Sequence, residues 1–442
     1  MNKESTIYAL SSGSGRAGIA IIRVSGPKAS EAIVGLAGVL PAPRLATLRS
    51  LVSSVGQDVI DQALVLWFPG PGSATGEDIA EFHVHGSPAI ITKLFAELSL
   101  IENVVPAEAG AFTRRAFDNG VLDLVEVEGL ADLLSASTEA QRRLAMRQFL
   151  GEASSIYESW RSELIKALAF VDAAIDFVEE PDVVENALGL MKPVVVQLKA
   201  DLEEALLHSV RAGAVRDGLR LVIAGAPNVG KSSLLNWLAG RNAAIVSDQA
   251  GTTRDVVEAV VEFEGVRLVL ADTAGLRNHT IDEIEKIGMS RAADEIRYAD
   301  IMLWVSSPDV GDEVGPMRKP ELNIMNKCDL FTQDSIHLRN ENGLPISLRT
   351  GAGLVELREE LERLVRARAN VAGQAIVVRD RHVSAVKKTI RILNDVLKGD
   401  DLSLEVLAEE LRDACRIMSS ITGRIDVDDL LGRIFSEFCI GK

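Results

Sequence analysis

Apolar and polar positions alternate in short runs over the first quarter of the chain. TIYAL, GIAIIRVSG, QALVLWF and IAEFHVHG each carry the period of two that predicts a half-buried strand. Turn clusters such as PGPGSATGED separate them, and the stretch from Ile90 to Leu100 has the three-and-four spacing of a helix. Residues 1–118 therefore read as an α+β domain. From Leu122 to Ala212 the helical spacing takes over, as in GLADLLSASTEAQRRLAMRQFL, with one interruption at Glu179, Glu180, Pro181 and Asp182. The same texture returns at Arg381 to Leu397 and at Leu404 to Met418.

Between these helical portions, from Gly218 to Ala369, β-rich runs (LRLVIAG, VRLVLAD, DIMLWV, LNIMN, LPIS) alternate with helical ones. That alternation predicts a doubly wound parallel sheet. The expected architecture is multidomain: an α+β N-terminal domain (1–118), an α-helical domain in two parts (119–214 and 372–442), and an α/β domain inserted at 215–371.

The inserted segment carries the chemistry. LVIAGAPNVGKSSLL places Gly225, four residues, then Gly230, Lys231 and Ser232 between a predicted strand and a predicted helix. Glycines let consecutive N–H groups turn toward a phosphate, and the helix N-terminus adds partial positive charge. Lys231 is expected on the β and γ phosphates and Ser232 on Mg²⁺. DTAG, Asp272 to Gly275, follows a strand, so its carboxylate belongs near the metal and the Gly275 amide near the γ-phosphate. NKCD, Asn326 to Asp329, follows LNIM and resembles the guanine box of GTPases. Asp329 can accept from guanine N1–H and the 2-amino group together, a donor pair that adenine lacks. SLR, Ser347 to Arg349, falls where a last base-contacting loop is expected. The insert thus reads as a Ras-like P-loop GTPase domain.

The expected nucleotide contacts are Asn228, Val229, Gly230, Lys231, Ser232, Ser233, Ser247, Thr252, Thr253, Asp272, Thr273, Ala274, Gly275, Asn326, Lys327, Asp329, Ser347, Leu348 and Arg349. Where Ras-like enzymes place a water-orienting glutamine after DTAG, this chain has Leu276. Either hydrolysis is slow or another group helps. Thr253, Arg254, Glu283 and Glu285 are the candidates, and periodicity does not choose among them.

Composition narrows the setting. The 442 residues carry 47 Lys and Arg against 64 Asp and Glu, a net charge of -17, which argues against non-specific nucleic-acid binding. The N-terminus lacks the pattern of a signal or transit peptide, and no apolar run reaches the ~18 residues of a membrane span. The cysteines, Cys328, Cys415 and Cys439, have neither zinc-like nor disulfide-like spacing, which fits a reducing cytoplasm.

Three signals are weighed against plainer readings. GSGRAG, Gly13 to Gly18, matches a dinucleotide fingerprint but is followed by IAIIRV rather than a helix, so a glycine-rich hairpin is expected. Glu81, His83 and His85 share a strand face; lining of a ligand pocket is preferred to a metal site. The terminal CIGK lacks the aliphatic residues and basic approach of a prenylation box.

Nearly end to end the chain resembles the MnmE (TrmE) family of tRNA-modification GTPases. TIYALSSGSGRAGIAIIRVSGP, TGEDIAEFHVHG, FTRRAFDNGVLDLVEVEGLADLL, GAPNVGKSSLLN, GTTRD, DTAGLR, NKCDL and FCIGK carry the resemblance in this order. It implies a GTPase that works with the FAD-dependent MnmG (GidA) protein as a heterotetramer. The pair adds an aminomethyl or carboxymethylaminomethyl group to C5 of the wobble uridine, position 34, of certain tRNAs. The one-carbon unit comes from a 5-formyl- or methylene-tetrahydrofolate derivative, with glycine or ammonium as nitrogen source. It also implies a homodimer formed through the N-terminal domain, whose GTPase domains meet when GTP is bound.

Carried over residue by residue, K⁺ falls on Asn228, Ser247, Gln249 and Thr252, Mg²⁺ on Ser232 and Thr253, and the water-orienting carboxylate on Glu285. One extra residue stands between Arg277 and Asp282. Folate contacts fall on Arg23 and Glu81, but the family's lysine is Val121 here, with Arg114, Arg115 or Lys442 as replacement cations. Cys439 is expected to face the folate and tRNA chemistry rather than serve as a core filler. The alternative is a ribosome-assembly GTPase switch with no modification chemistry, which explains the nucleotide motifs but not FCIGK.

Overall fold

The computed structural model describes residues 5–54, 57–242, 258–272, 296–297, 299–310, 315–316, 318–330, 343–372, 376–398, 403–425, 431–432, 434–435, 438 and 441. Chain contacts group into two units. One comprises residues 1–131, 149–157 and 419–442, and the other residues 132–148 and 158–418.

The first unit is built on strands β1 (Thr6–Leu10), β2 (Ala17–Ser25), β3 (Thr47–Val52), β4 (Val59–Phe68), β5 (Ile79–Gly86) and β6 (Val104–Pro106). Their order is β3-β4-β5-β2-β1-β6, antiparallel except for the parallel β1–β6 pair. Helices α1 (Ala29–Ala37) and α2 (Pro88–Ser99) cover one face, where Ile22, Val24, Ala80, Phe82, Val84, Ile33, Leu94 and Leu98 form the core. The opposite face keeps Arg23, Glu81 and His83 partly exposed and is covered near β1 by α3 (Ala111–Asp118), through Ile7, Ala9, Ala111 and Phe112. GSGRAG lies between the antiparallel β1 and β2, as expected of a hairpin.

β3 and α1 go beyond the sequence expectations for physical reasons. β3 is an edge strand with half its residues exposed or nearly so, and α1 has no side-chain cap at Lys28 to mark its start. Beyond α3 comes α4 (Leu124–Ser135), opened by a reciprocal cap: Glu126 N–H donates to Asp123 Oδ1 at 2.9 Å and Asp123 N–H to Glu126 Oε2 at 2.8 Å.

The second unit takes in α5 (Glu139–Phe149) to residue 148, α6 (Glu152–Asp176) from residue 158 and all of α7 (Pro181–Asp217), which precede the inserted sheet. α10 (Asp380–Lys398) and α11 (Leu404–Ile421) follow it. The break between α6 and α7 falls at the predicted Glu179 to Asp182, with Pro181 opening the new helix where its missing N–H costs nothing. α10 packs on α7, Arg412 pairs with Asp172 at 2.8 Å and Arg379 with Asp132 at 2.6 Å, so helices on both sides of the insertion join.

The inserted sheet contains β7 (Leu219–Gly225), β8 (Glu258–Phe263), β9 (Val266–Asp272), β10 (Ile301–Ser306), β11 (Leu322–Met325) and β12 (Leu344–Pro345). Its order is β12-β11-β10-β7-β9-β8, with only β8–β9 antiparallel. Leu219, Leu221 and Ile223 of β7 point to the face covered by α8 (Lys231–Asn242) and α9 (Leu354–Ala372), while Val222 and Ala224 point to Ile296 and Ala299. Both faces are buried, which is why the strands read as nearly continuous apolar runs.

Glu97 of α2 is buried and ties the end of β3 to the helix. Its carboxylate accepts from Ser53 Oγ at 2.5 Å, Ser54 N at 2.9 Å and Ser54 Oγ at 2.6 Å, and pairs with Lys93 at 2.8 Å. Lys93 first, then the two serines, hold its pKa down to about 2. A carboxylate depressed in the folded state stabilises fully above its ordinary pKa of 4.5 and loses that contribution as the pH falls toward about 2. Glu97→Gln is expected to cost about 1–3 kcal/mol at neutral pH. The deficit relative to wild type should shrink below the ordinary carboxylate pKa; urea midpoints that differ by the same amount at every pH would contradict this account.

Candidate functional site

The phosphate loop leaves β7 through Gly225, at φ 150°, where a Cβ would overlap the Val305 carbonyl of β10. Only glycine passes there. Asn228 takes the left-handed conformation at φ 63°, and Gly230, at φ 103°, lies so close to the Asn326 amide that a side chain has no room. Val229 is buried beneath the loop. Lys231 opens α8, is only 6% exposed, and arches back to donate from Nζ to the Ala226 carbonyl at 2.8 Å. A buried ammonium at a helix N-terminus, inside a ring of backbone, is a preorganised phosphate ligand. Ser232 and Ser233 stand exposed on the first turn of α8.

The base-reading segment is fastened to this loop by one side chain. Asn326, 4% exposed, donates from Nδ2 to the Val229 carbonyl at 2.9 Å and accepts at Oδ1 from Leu348 N–H at 3.2 Å. Asp329 is held ready in turn: Ser347 Oγ donates to its Oδ1 at 2.6 Å, and the exposed Arg349 guanidinium stands 4.0 Å from its Oδ2. Ser347 Oγ also accepts from Thr350 N–H at 3.1 Å, which fixes the loop. Lys327, at φ 61°, pairs with Asp309 at 2.6 Å. The sequence reading missed Asp309, because the carboxylates of SSPDVGD carry no periodic or motif signal.

Asp272 ends β9 in register with Ile223, so its backbone lies at the same edge of the sheet as the phosphate loop. Ser247, Gln249, Thr252, Thr253, Arg254, Thr273, Ala274, Gly275, Leu276, Glu283 and Glu285 lie outside the described residues, as do Cys439 and Lys442.

In the first unit, Arg23 and Glu81 stand directly opposite on β2 and β5. Arg23 Nε and Nη2 donate to Glu81 Oε1 at 3.0 and 2.8 Å, and His83 Nε2 lies 3.0 Å from Oε2. Burial pushes the Glu81 carboxyl up, but His83 and the Arg23 charge outweigh it and leave it below its ordinary value. His85 instead faces Asp61, at 2.8 Å, and among the described residues no group of His, Cys, Asp and Glu is arranged for a metal.

Val121 is 39% exposed and sits against Gly76 of the TGED turn. Arg115 does not serve as the replacement cation. It is buried, and its guanidinium is spent on Ser25 O at 3.0 Å, Glu77 Oε2 at 2.7 Å and Ser5 O at 2.7 Å. Arg114 on the same helix has the Asp118 carboxylate 3.8 Å from its Nε, and its guanidinium lies 5.9 Å from the Phe435 ring centroid.

The end of the chain belongs to this same unit. Leu431, Ile434, Phe435 and Phe438 bury themselves with Leu124 and Val127, and Phe435 presses on Gly110, where a Cβ would strike its backbone. Gly441, at φ 100°, lies against the Leu10 carbonyl, again without room for a side chain, and its own carbonyl accepts from Ser11 Oγ at 2.9 Å.

Family models match both parts of this arrangement: "GTP-binding protein TrmE N-terminus" over residues 6–121 and "MnmE helical domain" over residues 124–439. The chain belongs to the MnmE family. Proteins named tRNA modification GTPase MnmE are similar along the whole length. The one from Beijerinckia indica subsp. indica is 46% identical over 451 aligned residues, covering 99% of this chain and 96% of that protein. Those from Bradyrhizobium sp. (strain BTAi1) and Rhodopseudomonas palustris are 44% and 43% identical, each covering 99% of both chains. The two family-model matches together take in the polar face of the first unit and the inserted sheet.

A carboxylate at Asp329 requires a base with two adjacent donors, so Asp329→Asn is expected to abolish GTP binding. Because xanthine presents a carbonyl where guanine has its 2-amino group, the same variant should gain affinity for XTP. Fluorescent-nucleotide titration checks both, and retained GTP affinity would remove Asp329 from base reading.

Proposed function

We propose that this chain, a tRNA modification GTPase by its family, acts with an FAD-dependent partner of the MnmG (GidA) type on C5 of the wobble uridine, position 34, of certain tRNAs. The group added is aminomethyl or carboxymethylaminomethyl, and its one-carbon unit comes from a tetrahydrofolate derivative. The working form is a cytoplasmic homodimer that joins the partner as a heterotetramer. The domain division is the one read from the sequence: 1–118, 119–214 with 372–442, and 215–371.

The observation that carries this reading is the packing of the C-terminal segment on the β1 end of the N-terminal domain, through Ser11 and Gly441. A GTPase switch without chemistry of its own has no use for that. Glycine at 441 is imposed by the approach to Leu10, so the tail is built to be held rather than to trail in solvent.

The residues present suit the groups that the reading invokes. A pterin presents adjacent N–H donors, as guanine does, and Glu81 offers an ionised carboxylate steadied by Arg23 and His83. Folate, when bound, supplies the one-carbon unit. Arg114, with Lys442, replaces the cation missing at Val121. Mg²⁺ is assigned to Ser232 and Thr253. The exposed Asn228 amide bonds to no described residue and offers an uncharged oxygen to K⁺, with Ser247, Gln249 and Thr252. K⁺, when bound, would supply positive charge against that developing in the transition state, and Glu285 would orient the attacking water in place of the glutamine that Leu276 displaces. Nucleotide state acts on the modification site only insofar as GTP and GDP favour different conformations.

Mass spectrometry of wobble-uridine nucleosides in a strain lacking the protein tests the proposal. Complementation with wild type should restore 5-aminomethyl-type uridines. Cys439→Ser and Gly441→Ala should not, while purified variants keep GTP hydrolysis within about twofold of wild type. Unchanged nucleosides in the deletion strain would sink the modification role. Full restoration by both variants would remove FCIGK from the chemistry.

A further inference from the structure

All four residues of NKCD are held by side chains or backbone from other loops, and the partner of Lys327 has no place in the motif. Asp309 lies three residues past the end of β10. Its Oδ2 takes the Lys327 ammonium at 2.6 Å, and its Oδ1 accepts from Ser307 Oγ, a hydroxyl whose residue is only 4% exposed. The carboxyl is thus pinned at both oxygens. Lys327 itself has a left-handed backbone, φ 61°, an uncommon conformation for a lysine that fixes the direction in which its stem departs.

The position of that stem gives the pair its meaning. Asn326, one residue before, is bonded to the phosphate loop, and Asp329, two residues after, reads the base. A nucleoside joining these two points passes along Lys327. The side chain has four rotatable carbons and is 30% exposed, so alone it would be disordered and its ordering would be charged against nucleotide affinity.

We propose that Asp309 is a positioning residue of the guanine nucleotide site: it holds Lys327 in its nucleotide-bordering orientation before the ligand arrives. The proposal rests on reading this site as one for GTP. Asp309 does not touch the phosphates or the base edge, so its contribution is common to GTP and GDP. As a partly exposed ion pair it adds little to stability, and its effect belongs to binding.

The test is titration of the full chain with fluorescent GTP and GDP, together with steady-state hydrolysis. Asp309→Asn should raise Kd for both nucleotides by the same factor, about two- to tenfold, and raise KM while leaving kcat in place. Asp309→Glu should recover part of the loss. In a Lys327→Met background, Asp309→Asn should have no further effect. Unchanged affinity in Asp309→Asn would overturn the proposal, and so would an equal loss in the Lys327→Met background, which would mark a structural role independent of the lysine. Failure of the wild type to bind either nucleotide would instead overturn the GTP reading.

Discussion

The buried amide of Asn326 is the joint on which the nucleotide site depends. The Gly225–Lys231 loop and the NKCD segment are separate loops, one after β7 and one after β11, with β10 between them in the sheet. Neither loop is long enough to define the other's position. Asn326 closes the gap with one donor to Val229 O and one acceptor for Leu348 N–H, in a place where both partners would otherwise be buried polar groups lacking that bond. The demand propagates outward. Gly230 must lack a side chain because Asn326 occupies the space, and Gly225 must lack one because the loop begins hard against β10. The glycines of the motif are consequences of this closeness as much as of phosphate binding.

A second constraint concerns how the inserted domain meets its host. β8 follows GTTRD and β9 runs into DTAG, so this hairpin joins the two stretches expected to sense the γ-phosphate. Its far end is tied down. Glu264, at φ 53°, pairs with Arg366 at 3.0 Å and Arg358 at 3.2 Å on α9, and these cations hold its carboxyl below the ordinary range. Gly265 O accepts from Ala140 N–H at the start of α5, and Gln141 on the next residue donates to Arg216 O, where α7 turns into β7. One helix start therefore contacts both the root of the sheet and the tip of the hairpin. This is contiguity, the material condition for coupling rather than coupling itself. It also explains why the chain enters the insertion through Gly218, at φ 99°, wedged against Arg267 and Val269 of β9.

The fold was legible where burial imposes a strong period and obscure where it does not. Both-face burial made β7, β9 and β10 read as apolar runs, and one-face burial made β2 and β5 alternate. β3, an edge strand with Leu48 61% exposed, left no such trace. The break at Pro181 was visible because proline acts locally. In the candidate site, the glycines, Lys231, Asn326 and Asp329 were readable as candidates because each sits in a short local motif. Asp309, Ser53 and Glu77 were not, because their partners lie 18, 44 and 38 residues away and nothing in local spacing records such a pairing.

The arginine pair in FTRRAFD shows why the motif alone misassigns roles. Both residues looked equally available to replace the cation missing at Val121. Helical geometry separates them by about 100°, which sends Arg115 inward. There it answers two backbone carbonyls and the Glu77 carboxylate, which also accepts from Ser25 Oγ at 2.9 Å. Both terminal nitrogens of this buried guanidinium are engaged, and removing it would strand Glu77 as a charge lacking its counterion. Arg114, turned toward Phe435, keeps its charge on the side where the terminal segment docks. Val121 meanwhile fills the space beside Gly76, an apolar contact at the TGED turn. Of the two arginines Arg114 is therefore the more accessible, its side chain 34% exposed against 8% for Arg115, although the Asp118 carboxylate stands 3.8 Å from its Nε.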